Sequence, residues 1–231
     1  MGATTKGRPK ALERVRMQRP LGRRPGKHPT RETILDAAEE VFARSGFAAA
    51  ALREIAFKAG VNQALVHHYF GSKDGLFKAI FLRRGKELAR ERLELLALLE
   101  KRSSSPTLEE IIRAYLMPAY NMRRRSAGGV AFLRLQARLM LEPSMSNLEL
   151  RTLVYEESMQ RYIAAIRRAA PHLDAQAVYW RSVFMIGAYS YALSEAHRVQ
   201  ILSGGLCDPH DAEQTLANLV PFLVGGFERS A

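Results

Sequence analysis

Between residues 62 and 73 stand side chains whose types suit the reading of nucleic-acid bases: Asn62, Gln63, Ala64, His67, His68, Tyr69 and Lys73. A glutamine amide can pair with both N6 and N7 of adenine, and an alanine methyl can pack on the methyl of thymine. The two imidazoles can donate to base edges or to phosphates. Tyr69 and Lys73 are placed to meet backbone phosphates, contacts that fix register rather than sequence. On a helix, Val66 and Phe70, four apart, form the anchoring side, and Gln63, Ala64, His67 and His68 form the outer side. Histidines on an exposed helix face are often surface groups and no more. The place of these two on a recognition helix is what gives them a role.

The flanking sequence supplies the elements that must hold that helix. An N-cap at Thr30 precedes Ile34, Ala38, Val41 and Phe42, which recur at helical spacing until Gly46 ends the run with a left-handed residue. A second, short helix spans 50–59, with Leu52, Ile55 and Ala56 facing inward. Gly60 supplies the turn at no Cβ cost, Val61 fills it, and a third helix runs from Gln63 to Phe70. Gly71-Ser72-Lys73-Asp74 is a turn with an N-cap. It launches a long amphipathic helix through Leu76, Phe77, Ile80 and Phe81 towards Leu99. Two short helices joined by a tight, glycine-containing turn make a helix-turn-helix, whose second helix lies in the major groove.

The run Ile34-Leu35-Asp36-Ala37-Ala38, Phe42, Gly46-Phe47, then Arg53-Glu54-Ile55-Ala56, Ala59-Gly60-Val61, then His68-Tyr69-Phe70-Gly71-Ser72-Lys73-Asp74-Gly75-Leu76-Phe77 resembles the TetR family of regulators. The resemblance implies a three-helix DNA-binding head and a larger helical body. That body would dimerise through two helices and hold a small-molecule pocket, with ligand binding releasing DNA. Four positions depart from the family pattern. Ala50 and Ala51 stand where threonine is common, so the second helix lacks a hydroxyl cap, worth about 1 kcal/mol. Asn62 replaces a serine and caps equally well. His67 replaces a tyrosine and alters the expected base preference.

Charge is concentrated at the start of the chain. The formal net charge is +12, and residues 1–29 carry nine Lys/Arg against one acid, so +8 of it lies there. Gly and Pro interrupt this segment and no apolar period appears, which reads as a flexible basic arm. Lys6-Gly7-Arg8-Pro9-Lys10 resembles an AT-hook core, with Gly22-Arg23-Arg24-Pro25-Gly26 a looser echo. Arg8, Arg23 and Arg24 are therefore candidates either for minor-groove insertion or for non-specific phosphate attraction. Residues 22–27 do not make a phosphate loop, because no strand precedes them and no Ser/Thr follows Lys27.

Beyond Ser103-Ser104-Ser105-Pro106 the chain reads as helices over 107–125 (kinked near Pro118), 129–141, 146–170, 174–203 and 210–227. The expected fold class is all-α, with an arm at 1–29, a helix-turn-helix domain at 30–77 and a ligand-binding and dimerisation domain at 78–231. Phe132, Arg134, Met140, Met159, Tyr162, Trp180, Met185 and Tyr189 are candidates to line an apolar pocket, although such residues at helical spacing are more often plain core. Phe132-Leu133-Arg134-Leu135-Gln136-Ala137-Arg138, with Leu141-Glu142-Pro143-Ser144, is similar to a TetR subgroup with some fatty-acyl-responsive members. Val183, Gly187, Ser190, Tyr191 and Ser194, with Leu216, Leu219, Val220 and Leu223, are candidates for a dimer interface.

Composition narrows the remaining classes. The chain of 231 residues is 47% hydrophobic, enough for a substantial core, and has one cysteine, Cys207, which fits a reducing cytoplasmic setting. No apolar run approaches the roughly 20 residues of a membrane span, and no secretory signal is read at the N-terminus. There is no G-x-S-x-G, no H-E-x-x-H and no paired-cysteine metal spacing, so neither an enzyme nor a metal or other cofactor is expected. The expected partners are a palindromic double-stranded DNA operator, a small apolar or amphipathic effector and a second copy of the chain, with no membrane. The reading is a ligand-responsive repressor. The alternative is an architectural chromosome-binding protein on the same fold.

Overall fold

The apolar stripe of Ile34, Leu35, Ala38, Val41 and Phe42 is fully buried along α1 (Arg31–Ala49). The structure is a computed structural model that describes Met1 and residues 31–141, 145–194 and 196–229. Thr30, expected as the cap of α1, and the arm with Arg8, Arg23 and Arg24 lie outside the described residues. Gly46 breaks the regular helix with φ 74° and ψ 169°. This combination is open essentially to glycine alone and is extended in ψ rather than left-handed helical as expected. One further turn follows, and its Phe47 ring packs against Phe42 and Phe77 at 5.8 and 5.0 Å.

Next come α2 (Leu52–Ala59), α3 (Gln63–Phe70) and α4 (Lys73–Arg102). Ala51 at the start of α2 makes no side-chain cap bond, as its lack of a hydroxyl requires, and Gly60 closes α2 in the left-handed conformation at φ 69° and ψ 32°. The 30 residues of α4 give a rod of about 45 Å. It runs without a break through the expected junction at 77/78.

The body consists of α5 (Leu108–Arg125), α6 (Ala127–Leu141), α7 (Met145–Ala169), α8 (Ala175–Ser194), α9 (Ala196–Leu202) and α10 (Ala212–Glu228). Among the described residues there is no strand. Thr107 and Glu110 form a full capping box at the start of α5, and Pro118, the expected kink site, lies buried inside that helix. The helix expected over 174–203 is occupied by α8 and α9, on either side of residue 195, which lies outside the described residues, and α10 begins two residues later than expected, behind the Asp211 cap.

The three head helices are not an isolated unit. Besides meeting α2 and α4, α1 packs extensively on α6, while α4 lies along α5 and α7 and α10 covers α5 and α8. One contiguous apolar core runs from Ile34 to Phe227.

A buried carboxylate fastens α1 to α4. Glu39 is 2% exposed and accepts a two-pronged bond from Arg84, Nε to Oε1 and Nη2 to Oε2, each at 3.0 Å. Arg83 Nη2 also donates to Glu39 Oε1, and Arg83 reaches Glu32 at 2.8 Å and Asp36 at 2.9 Å. Planar guanidinium forks suit carboxylates in this bidentate way. Gly128 of α6 closes over the cluster, where a Cβ would come within 2.6 Å of Glu39 Oε2. Hydrogen bonding from Arg83 holds the Glu32 carboxyl below its ordinary value of 4.5 against a smaller opposing effect of burial.

Candidate functional site

Asn62 starts α3 by accepting the Leu65 N–H at 2.8 Å, so its carbonyl oxygen serves as the cap and its amide nitrogen is left on the outside. Val66 is the buried anchor of the helix, and Phe70 is half-buried beneath the Arg31 guanidinium, 5.3 Å from the ring centre. Gln63, Ala64, His67, His68 and Tyr69 are all exposed. The expected division of α3 into an anchoring and an outer face is thus present.

His67 has a defined tautomer. Its Nδ1 lies 2.9 Å from the carbonyl oxygen of Gly71, which can only accept, so Nδ1 carries the proton. Gly71 returns an N–H to His67 O at 2.8 Å, and its φ of 70° allows the turn. Nε2 of the neutral ring is then an acceptor, 3.4 Å from the Gln63 amide nitrogen. Neutral His67 therefore presents an acceptor on the outer face, not the donor expected from sequence. The His68 and Tyr69 rings meet edge to face at 5.5 Å.

Lys73 corrects a second expectation. Its ammonium donates to Ala48 O and Ala50 O, both at 3.0 Å, and lies 4.8 Å from the Phe47 ring centre. The carbonyls left open after the Gly46 break capture the charge, so Lys73 ties α4 to the end of α1 rather than standing free for phosphate. Ser72 caps α4 by accepting the Gly75 N–H at 3.0 Å. At Gly75 a Cβ would fall 2.0 Å from Phe70 O, so only glycine allows the end of α3 to approach α4 this closely.

The expected pocket residues divide. Phe132, Tyr162, Met185 and Tyr189 are buried, and Met140 and Met159 are partly buried. Met140 Sδ accepts from Ser190 Oγ at 3.3 Å. Arg134 and Trp180 are exposed and do not join them. Trp180, 58% exposed, stacks on Phe184 on the outside of α8 because the opposite side of that helix, with Val178, Met185 and Tyr189, takes the core.

Two of the buried residues, Tyr162 and Tyr189, meet a side chain that sequence reading missed. Arg92 of α4 is 1% exposed. Its guanidinium carbon lies 3.7 Å from the centre of the Tyr115 ring, 5.4 Å from Tyr189 and 5.9 Å from Tyr155. Nε donates to Tyr115 O at 3.0 Å. Tyr162 donates its hydroxyl to Arg92 O at 2.8 Å, and Gln136 reaches the Tyr189 hydroxyl at 3.4 Å. Among the described residues no carboxylate pairs with Arg92, and its Nη2 and the Tyr155 hydroxyl have no partner. Burial works against the Arg92 charge. The oxygens of Tyr115 and Tyr189 offset that, and its pKa is raised. Burial also pushes Tyr115 and Tyr155 well above the ordinary phenol value, so the rings stay neutral. The signal in the sequence was the register: Leu88, Arg92, Leu96 and Leu99 share one stripe, and a charge in such a stripe is rare unless it is paired.

The dimer candidates also divide. Val183 and Tyr191 are more than half exposed, and Gly187 opens to empty space. Ser190, Leu216, Val220 and Leu223 are buried in the chain's own core, so they cannot meet a partner, and Leu219 is half-buried. The side chain of Ser194 lies outside the described residues. The exposed large apolar side chains on these two helices include Trp180, Val183, Phe184 and Tyr191 of α8 and Phe222 of α10. No described helix is long and apolar enough to cross a membrane.

Two family models match the chain. That for bacterial regulatory proteins of the tetR family covers residues 34–80, and the tetracyclin repressor-like C-terminal domain covers residues 113–226. The HTH-type transcriptional repressor Rv3405c of Mycobacterium tuberculosis is 40% identical over 65 residues, 28% of this chain and 35% of that protein. The match therefore spans about a third of that relative's length. Among solved structures, PfmR from Thermus thermophilus shares the fold with a TM-score of 0.61 at 18% identity, over 87% of this chain and 98% of that one. FadR from Bacillus subtilis, solved with stearoyl-CoA, aligns with a TM-score of 0.57 at 17% identity, over 85% and 99%. The two models of this family together span the helix-turn-helix and most of the helical body. The chain belongs to the TetR family of bacterial regulatory proteins.

Proposed function

We propose that this chain is a cytoplasmic, homodimeric regulator of transcription that binds a palindromic operator through α3 and is released by a small apolar or amphipathic effector, acting as a repressor. The observation that carries this reading is the outer face of α3. Gln63, His67 and His68 project from a helix fixed at its start by Asn62, at its middle by Val66 and at its end by the Gly71 turn. On this reading residues 1–29 are a DNA-attracting arm, with Arg8, Arg23 and Arg24 contacting phosphate or the minor groove, 30–77 the DNA-binding head and 78–231 the effector and dimer body. The exposed apolar face of α8 and α10 meets its copy, which would set the two α3 helices about 34–36 Å apart. The stearoyl-CoA held by FadR supports an amphipathic effector.

The test is selection of bound sequences from a random duplex library at physiological salt, followed by titration of the winning site. A short inverted repeat is expected, bound at least about a thousandfold more tightly than random DNA. Gln63→Ala is expected to cost about 1–3 kcal/mol and to relax preference at one base pair. Deletion of residues 1–29 should weaken binding to all sequences alike and flatten its salt dependence. Equal binding to all sequences, lost with the arm, would replace this reading with architectural attachment to the chromosome.

A further inference from the structure

We propose that Arg92 is the receptor for an organic carboxylate, so that the effector is a molecule with one carboxylate head and an apolar body, its head bound between α4, α5 and α7. This deepens the reading above and rests on it for the link to DNA. Three features of the interior define the ligand. First, the site holds one permanent positive charge and no negative one. Arginine does not deprotonate in proteins, and burial keeps the Tyr115 and Tyr155 phenols neutral. Second, the two unpartnered groups, Arg92 Nη2 and the Tyr155 hydroxyl, can both donate. A carboxylate accepts only, through two oxygens, and so complements one charged and one neutral donor. An alcohol would satisfy a hydroxyl and leave the charge open. An amine would add a like charge. Third, the walls are aromatic faces, with Tyr115 and Tyr162 at 5.0 Å and Tyr115 and Tyr189 at 5.8 Å, which suit an apolar body.

The seam between α4 and α5 leads in the same direction. A groove of about 680 Å³ lies along it, with Leu95, Leu99, Ala114 and Met117 on its apolar side and Lys101, Arg102, Glu110 and Arg113 among its charged lining. Arg92 and Tyr115 stand on the same two helices, within a turn of those residues, and Arg92 Nε bonds Tyr115 O across the seam.

Calorimetric titration and thermal melting of the full chain, with octanoate, 4-phenylbutyrate, 1-octanol and octylamine as probes, test the assignment. The two carboxylates are expected to bind and to raise the melting temperature, 1-octanol to bind at least about tenfold more weakly, and octylamine not to bind. Arg92→Met should lose carboxylate affinity by about 10- to 100-fold while its affinity for 1-octanol is unchanged. Arg92→Lys should restore part of the loss, because it keeps the charge without the fork. Tyr155→Phe removes a hydroxyl that bonds nothing among the described residues, so it should fold as the native chain does and bind carboxylates about 2- to 10-fold more weakly. It decides the matter if Arg92→Met fails to fold. Binding of octanoate that is equal in the native chain and both variants, equal binding of octanoate and 1-octanol, or no binding of either carboxylate to the native chain would each overturn the proposal. The two readings fail separately. Release of DNA by 1-octanol but not octanoate would sink the carboxylate and keep the regulator. Arg92-dependent carboxylate binding by a chain that selects no DNA site would do the reverse.

Discussion

Glu39 and Arg92 are both buried charges at or on α4, and the fold treats them in opposite ways. Glu39 meets two guanidinium groups, one of them in a bidentate fork, and has a glycine closed over it. Arg92 meets aromatic faces and one carbonyl, and part of its hydrogen-bonding capacity is unspent. Taking an ion out of water costs several kcal/mol even after relaxation, and a good partner offsets it. A charge that the chain completes with its own residues holds helices together. A charge that it leaves open is a standing cost to stability, and it persists where something outside the chain completes it.

The comparison can be broken by substitution. The largest effect is expected for Glu39→Ala, which strands two partly buried guanidinium groups and should lower stability by about 3–5 kcal/mol in urea unfolding. A loss below about 1 kcal/mol would mean that Glu32, Asp36 and Glu87 take over the arginines and that Glu39 is no clamp. Arg92→Met should move stability the other way, upwards by about 1–4 kcal/mol, because an apolar side chain of similar length replaces a buried ion that no carboxylate among the described residues pairs. A fall instead would make Arg92 a structural member like Glu39, and the contrast would vanish.

Smaller effects sharpen the contrast between α3 and the interior. Asn62→Ala removes the N-cap of α3 and should cost about 1 kcal/mol of stability, seen as a lower urea midpoint, with a larger relative loss of DNA affinity because the frayed turn carries Gln63. The smallest effect is acidic. Glu32 has a folded pKa below 4.5, so its contribution is fully present above that value and is lost as pH falls through the depressed one. Melting temperature measured from pH 6 downwards should therefore fall less in Glu32→Gln than in the native chain once the pH is below about 4.

How much of this was legible in the sequence follows from what each feature depends on. The helix-turn-helix was legible because its determinants are local. Gly60, Asn62, Val66 and Gly71 each act within a few residues, and the structure has α3 where their spacing predicts it. The roles of Lys73 and His67 were not, because each is set by a carbonyl that another part of the backbone leaves open, Ala48 and Ala50 in one case and Gly71 in the other. In the body, Trp180 leaves the place expected of it, and Arg92, which the sequence reading did not single out, takes one in the core. An aromatic residue sits in solvent and a charged one in the core. Apolar character at helical spacing fixes that a face is buried, but on a helix as uniformly apolar as α8 it does not say which face. On α4 the stripe containing Arg92 did say so, and the charge within it was the clue.

The exposed position of Trp180 has a spectroscopic consequence. It is the only tryptophan in the chain, it lies 58% exposed, and its ring is stacked on Phe184. Intrinsic indole emission from this protein therefore has one source, on the outer side of α8 and away from both α3 and the Arg92 cluster. Its colour reads the wetness of that single face. In a paired molecule the emission should be blue-shifted and poorly quenched by iodide, and dilution that separates the copies should shift it to the red, with no label added and no contribution from the rest of the fold.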